Sequence, residues 1–166
     1  MREFIDKVKS FKQFINENVD NQTILYHASN NLFDKFELKQ GYRTHLFYSE
    51  LTDAYAIFLT EDIKATKAFG DKYLYKCKIN CKRTLDWREA LDIRTYEWIK
   101  KQFGNIIPWE TTQYWMLLDD KRVMHYLKIR GIDCVIIEEI GDHDRFVSYA
   151  VLNPDNIQIV EVVKLK

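Results

Sequence analysis

Residues 132–140 and 146–152 are two apolar runs, and between them lies Gly141-Asp142-His143-Asp144. Turn residues between β-rich runs of this length make a hairpin, so this part of the chain must build an antiparallel sheet. A second turn, Asn153-Pro154-Asp155-Asn156, leads into a last strand expected over 157–164. Further back, 72–87 alternates polar and apolar residues (Tyr73, Tyr75, Cys77, Ile79) and predicts a strand ending near Asp86-Trp87. The short apolar run that starts at Ile24 and ends at His27, and the one at 56–59, predict two more strands.

Helical periodicity appears elsewhere. Phe4, Ile5, Val8, Phe11, Phe14 and Ile15 share one face of a helix over 2–17, which Asn18, Asp20 and Asn21 end. Residues 88–103 and 112–129 predict two amphipathic helices, separated by Gly104, Asn105 and Pro108, with Gly131 ending the second. Strands and helices in this mixture give an α+β class. From 38 to 52 the chain is polar and irregular and is expected to be a loop or flap.

With 166 residues the chain suits one domain with a real core, and its formal charge balances to zero. A balanced chain lacks the overall basic charge of non-specific nucleic-acid binders, although a local basic patch stays open. No apolar run is long enough for a membrane helix and no signal peptide is evident, so a cytoplasmic protein is expected. The three cysteines are expected to be reduced, packed thiols, with no metal site. Glycine is scarce, and neither GxGxxG nor GxxxxGK[ST] is present, which excludes Rossmann and Walker loops.

Two stretches carry candidate chemistry. In Ile24-Leu25-Tyr26-His27-Ala28-Ser29 a strand-like run ends in a histidine, a small residue and a hydroxyl, before a turn at Asn30-Asn31. Such a strand suits the floor of a cleft; the plainer alternative is a core histidine with one hydrogen bond. Phe33 and Phe36 then look like anchors of a loop wall. In the second stretch a strand over 56–59 runs to Thr60, a good N-cap, with Glu61 and Asp62 suited to a helix's first turn. Ala65, Ala68 and Phe69 follow at helical spacing, and Gly70 stops the helix. Aromatics at Phe58 and Phe69 suit stacking on a flat heterocycle, or plain core packing.

Together these pieces resemble the ADP-ribosyltransferase superfamily, in the branch of the poly(ADP-ribose) polymerases and diphtheria-type toxins, which includes phage and bacterial effectors. Tyr26-His27-Ala28-Ser29 is similar to the family's Tyr-His-Gly-Ser/Thr, and Ala56-Ile57-Phe58-Leu59-Thr60 to its Gly-Ile-Tyr-Phe-(Ala/Thr), with Phe69 as the later aromatic. Gly131-Ile132-Asp133-Cys134, Ser148-Tyr149-Ala150-Val151-Leu152-Asn153 and Asn156-Ile157 follow the family's C-terminal motifs in order. The resemblance implies a split antiparallel β-sheet around a cleft, an N-terminal amphipathic helix outside it, and two middle helices. It implies NAD as substrate, no metal, a monomer, and mono-ADP-ribosyl transfer to a protein or nucleic-acid target. His27 would hold ribose hydroxyls, Ala28 and Ser29 the carboxamide, and Phe58, Thr60 and Phe69 the nicotinamide pocket.

The departure is the acid: the family's glutamate falls on Ser148. Breaking the nicotinamide–ribose bond builds positive charge on the ribose, which a nearby carboxylate stabilises and a serine cannot. If the hairpin turn is centred on Asp142-His143, Glu139 lies opposite Phe146 and shares the face of Ser148. Glu138 takes its place if the register slips by one, and Asp144 is the third candidate. Without such an acid the chain is an inactive binding or inhibitory module on the same fold.

Residues 1–20 form a unit of their own in this reading. Ser10-Phe11-Lys12-Gln13-Phe14-Ile15-Asn16-Glu17 resembles the N-terminal targeting segments of internal head proteins in T-even-like phages, which are cut after the glutamate. That implies an effector packaged in a virion, trimmed after Glu17 and delivered to the host cytoplasm. The alternative is a helix whose stripe packs on the domain of 21–166.

Overall fold

The computed structural model describes residues 15–16, 23–38, 40–44, 49–53, 55–68, 70–103, 114–140 and 144–165. Its strands are β1 (Ile15–Asn16), β2 (Leu25–Ser29), β3 (Gln40–Thr44), β4 (Ser49–Asp53), β5 (Ile57–Thr60), β6 (Tyr73–Ile79), β7 (Thr84–Asp86), β8 (Cys134–Ile140), β9 (Arg145–Val151) and β10 (Ile157–Lys164). Two helices, α1 (Ile93–Phe103) and α2 (Lys121–Ile129), complete an α+β architecture. No helix among the described residues is long and apolar enough to cross a membrane.

One eight-stranded sheet runs β1-β7-β8-β9-β5-β2-β6-β10, and β3 pairs with β4 in a separate hairpin. The sheet is mixed rather than purely antiparallel, because β7 and β8 are parallel. It is also nearly divided. β5 meets β2 at the single pair Tyr26↔Thr60, whereas β2 pairs with β6 over its whole length and β5 pairs likewise with β9. A half-sheet β10-β6-β2 therefore joins a half-sheet β5-β9-β8-β7-β1 at one point.

Side chains alternate between two covered faces. Val135, Ile137 and Ala150 join Ile99 of α1 and Val123, Met124 and Leu127 of α2 in one core, on what is here called the helical face. Cys134, Ile136, Tyr149 and Val151 join Leu25, Tyr75, Cys77 and Phe36 in the second core, on the loop face. All three cysteines are free and buried, and burial pushes the Cys77 thiol up to about 12.

Several boundaries differ from the periodicity. The helix expected after Thr60 is only a 3-10 turn, Ala65–Ala68. Asp62 Oδ1 accepts from the Lys64 N–H at 2.8 Å, and the Thr66 hydroxyl donates to the Ile63 carbonyl at 2.6 Å. Such local side-chain bonds compete with α-helical ones. The helix expected over 88–103 starts at Ile93, where the buried Asp92 carboxylate accepts from the Thr95 N–H at 3.1 Å. The helix expected over 112–129 is a 3-10 segment, Tyr114–Asp119, followed by α2, which Asp120 caps through the N–H groups of Arg122 and Val123. It ends at Gly131, whose φ of 69° permits the bonds Gly131 N–H to Lys128 C=O and Ile132 N–H to Leu127 C=O.

The strand expected over 72–87 is divided into β6 and β7, and the flap expected over 38–52 contains the β3–β4 hairpin. At the N-terminus, Ile15 and Asn16 are extended rather than helical and pair with Leu85 and Thr84. The remainder of the helix expected over 2–17 lies outside the described residues.

Candidate functional site

The candidate site forms where β2 leaves β5. Beyond the pair Tyr26↔Thr60 the two strands are no longer bonded to each other, and the His27 ring bridges the gap. Its Nδ1 lies 3.0 Å from the Phe58 carbonyl oxygen. A carbonyl only accepts, so Nδ1 carries the proton and Nε2 the lone pair of a neutral ring. Burial lowers the ring's affinity for a second proton, against a smaller opposite effect of the bond to Phe58. Burial thus favours the neutral form of the His27 ring.

The wall beside it is the loop over 31–36. Phe36 meets the His27 ring edge-on at 5.3 Å, and Phe33 stacks on Tyr75 at 4.1 Å. Tyr75 lies opposite His27 on β6 and is fully buried. Its hydroxyl accepts from the Phe33 N–H at 2.8 Å and donates to the Asn31 carbonyl at 3.0 Å. One phenol therefore holds the loop whose Phe36 packs against His27, and Phe33 and Phe36 form the loop wall that their spacing suggests.

The end of β2 is clamped from the other side by Gly70. A Cβ at that position would lie 2.6 Å from the Ser29 carbonyl carbon and Cα, so only glycine fits without displacement. The Asp71 N–H donates to Asn30 Oδ1 at 3.1 Å, and the Asn31 N–H donates to Ser29 Oγ at 3.1 Å, which leaves the Ser29 O–H as a donor. Ala28 is fully buried beneath them. Phe69 lies outside the described residues.

The other expected site residues occupy the helical face. Phe58 is half-buried against the helical core. Thr60 is buried, and its hydroxyl accepts from the Asp62 N–H at 3.1 Å. Ser148 pairs with Thr60 on one side and Ile137 on the other, and is itself buried. Pairing places Glu139 opposite Phe146, on the face of Ser148 and one pair nearer the turn. Glu139 is half-buried, with one carboxylate oxygen enclosed. Glu138 faces the other way and forms an ion pair with Arg145 at 2.9 Å. Asp144 is exposed at the start of the hairpin's second strand.

His27 lies on the loop face by strand alternation, whereas Phe58, Thr60, Ser148 and Glu139 lie on the helical face. Across the split His27 meets the backbone of Phe58 through its Nδ1. Sequence reasoning missed a polar array on the loop face. The Tyr149 hydroxyl donates to Glu61, and Arg88, ion-paired with Asp86, stands close enough to bear on both. Burial, then the Glu61 carboxylate, pushes the Tyr149 phenol well up. The available signal was the alternation that puts Tyr149 beside Leu59, next to Glu61; the helical reading of Glu61 obscured it.

No family model, no curated protein and no solved structure matches this chain.

Proposed function

We propose that this chain is an NAD-dependent mono-ADP-ribosyltransferase whose reaction cleft is the split between β2 and β5. One observation carries the reading: a sheet divided at Tyr26↔Thr60, with His27 spanning the opening to the Phe58 carbonyl. The order of the motifs along the chain supports it. In the reaction the C1′–nicotinamide bond of NAD breaks and its electron pair leaves with neutral nicotinamide. A nucleophile of the target forms the new bond to C1′ and gives up its proton.

Neutral His27 accepts from a ribose hydroxyl at Nε2. The Ala28 backbone and Ser29 hydroxyl hold the carboxamide, while Phe58, Thr60 and Phe69 bound the nicotinamide. Glu139 supplies the negative charge that Ser148 cannot, since it shares the face and lies about 7–8 Å diagonally across the pair. Segment 1–20 is the proposed targeting segment of a phage effector that acts in the host cytoplasm.

A second reading has one observation of its own. Ser148 is buried and uncharged where the family carries its acid, which favours an inactive binding or inhibitory module on the same fold. Labelled NAD incubated with the protein and a host lysate separates the two. Transfer of label that disappears in His27→Ala supports the enzyme. No NAD binding at all supports the module.

A further inference from the structure

A second candidate surface lies on the helical layer, far in sequence from the split. A groove of about 410 Å³ runs between α1 and α2, lined by Trp98, Gln102, Lys121, Arg122, His125, Tyr126 and Ile129. Neither His27, Thr60 nor Ser148 contributes to it. Its floor is aromatic: Trp98 stacks on Tyr126 at 4.2 Å, and Phe103 meets Trp98 edge-on at 6.2 Å. Ile129 stands at its lip, 68 % exposed.

Of the lining residues Lys121 and Arg122 are cationic, and the two helices carry further cations outside the lining. α2 contains Lys121, Arg122 and Lys128 and no acid, and α1 contains Arg94, Lys100 and Lys101 against Glu97 alone. The chain as a whole is neutral, so this excess is local. Part of it is already engaged. Arg122 is ion-paired with Asp120 at 2.8 Å and lies over the Phe103 ring at 3.9 Å, and Arg130 bonds the Tyr126 hydroxyl. Lys121 and Lys128 have no ion pair among the described residues. They are exposed, as is His125, and Lys121 and His125 lie one turn apart on one helix face.

We propose that this groove binds single-stranded nucleic acid, with phosphates on Lys121 and Lys128 and a base against the exposed part of Trp98 and Ile129. The pairing of an aromatic floor with these lysines selects this partner. Successive phosphates match the lysines, and flat bases match the floor. The groove's size suits a base or two rather than a duplex. The proposal is separate from the NAD reading and does not depend on it.

The test is fluorescence anisotropy of a labelled 12-nucleotide oligouridine with the full chain. Binding through two or three phosphates should weaken by about 7- to 18-fold between 50 and 200 mM salt, from a slope of about −0.7 per phosphate. Lys121→Glu combined with Lys128→Glu should cost at least tenfold; both residues are exposed, so the fold should be kept, as thermal unfolding will check. Trp98→Leu, which keeps an apolar floor without the aromatic ring, should also weaken binding. No binding at 50 mM salt overturns the proposal, and so does binding that the double lysine variant leaves unchanged. Polyglutamate competing as well as unlabelled oligouridine would overturn it in favour of an acidic protein partner.

Discussion

Tyr75→Phe isolates the device that shapes the candidate cleft. The substitution keeps the ring stacked on Phe33 at 4.1 Å and removes only an oxygen. That oxygen joins two backbone groups, the Phe33 N–H at 2.8 Å and the Asn31 carbonyl at 3.0 Å. Each net hydrogen bond is worth about 0.5–1.5 kcal/mol, and more where the abandoned group stays buried. Tyr75 is fully buried, so the sum is about 2–3 kcal/mol. For a chain of 166 residues, at about 2–4 °C per kcal/mol, the melting temperature should fall by about 5–10 °C. Circular dichroism in the far ultraviolet measures it.

A second readout separates loop release from general loosening. The loop carrying Phe33 and Phe36 helps to bury His27, and that burial depresses the ring's pKa. Once the loop is freed, the His27 titration followed by NMR should move back toward its ordinary value of 6.5. A melting temperature within a degree of the parent, with an unchanged His27 titration, would refute the claim that the phenol holds this wall.

Four further outcomes are expected. Gly70→Ala drives a methyl to 2.6 Å from the Ser29 backbone, so the strand end must shift; overpacking of this kind costs about 1–3 kcal/mol, and undiminished thermal stability would count against the clamp. Because the folded pKa of His27 is depressed, its neutral form stabilises the fold above 6.5, and that contribution fades as the pH falls below 6.5. Melting temperatures from pH 8 to 5 should therefore fall more steeply in the parent than in His27→Gln; parallel curves would contradict the burial. If transfer activity is found, Glu139→Gln should lower it by 10²-fold or more, the effect of losing about 3 kcal/mol of charge stabilisation, while NAD binding persists. Full activity in Glu139→Gln beside a dead Glu138→Gln would put the acid on the other face. Deleting the residues before Asn18 removes the pairs Ile15↔Leu85 and Asn16↔Thr84 and should barely change the melting temperature if segment 1–20 is a targeting segment; a drop of several degrees would overturn that role.

The parts legible in the sequence were those governed by neighbours along the chain. The last strand is found over Ile157–Lys164 because Asn153-Pro154-Asp155-Asn156 starts it. The β8–β9 register puts Glu139 opposite Phe146, as the sequence pattern predicts. Gly131 ends α2 because its positive φ suits the left-handed cap. The wall at Phe33 and Phe36 was visible as aromatic spacing, although the phenol that holds it was not.

What only the tertiary structure decided depended on partners distant in sequence. The run over 72–87 breaks after Ile79 because the Asp133 carboxylate, some 50 residues on, accepts from the Lys82 and Arg83 N–H groups. The parallel pairing of β7 with β8 has no local signal, since the two strands are joined through both helices. The site shows the same limit. Alternation alone puts His27 and Ser148 on opposite faces, and nothing in either motif says that β2 and β5 separate after one pair. That separation lies between strands about 30 residues apart in sequence, and across it the His27 ring reaches the Phe58 carbonyl.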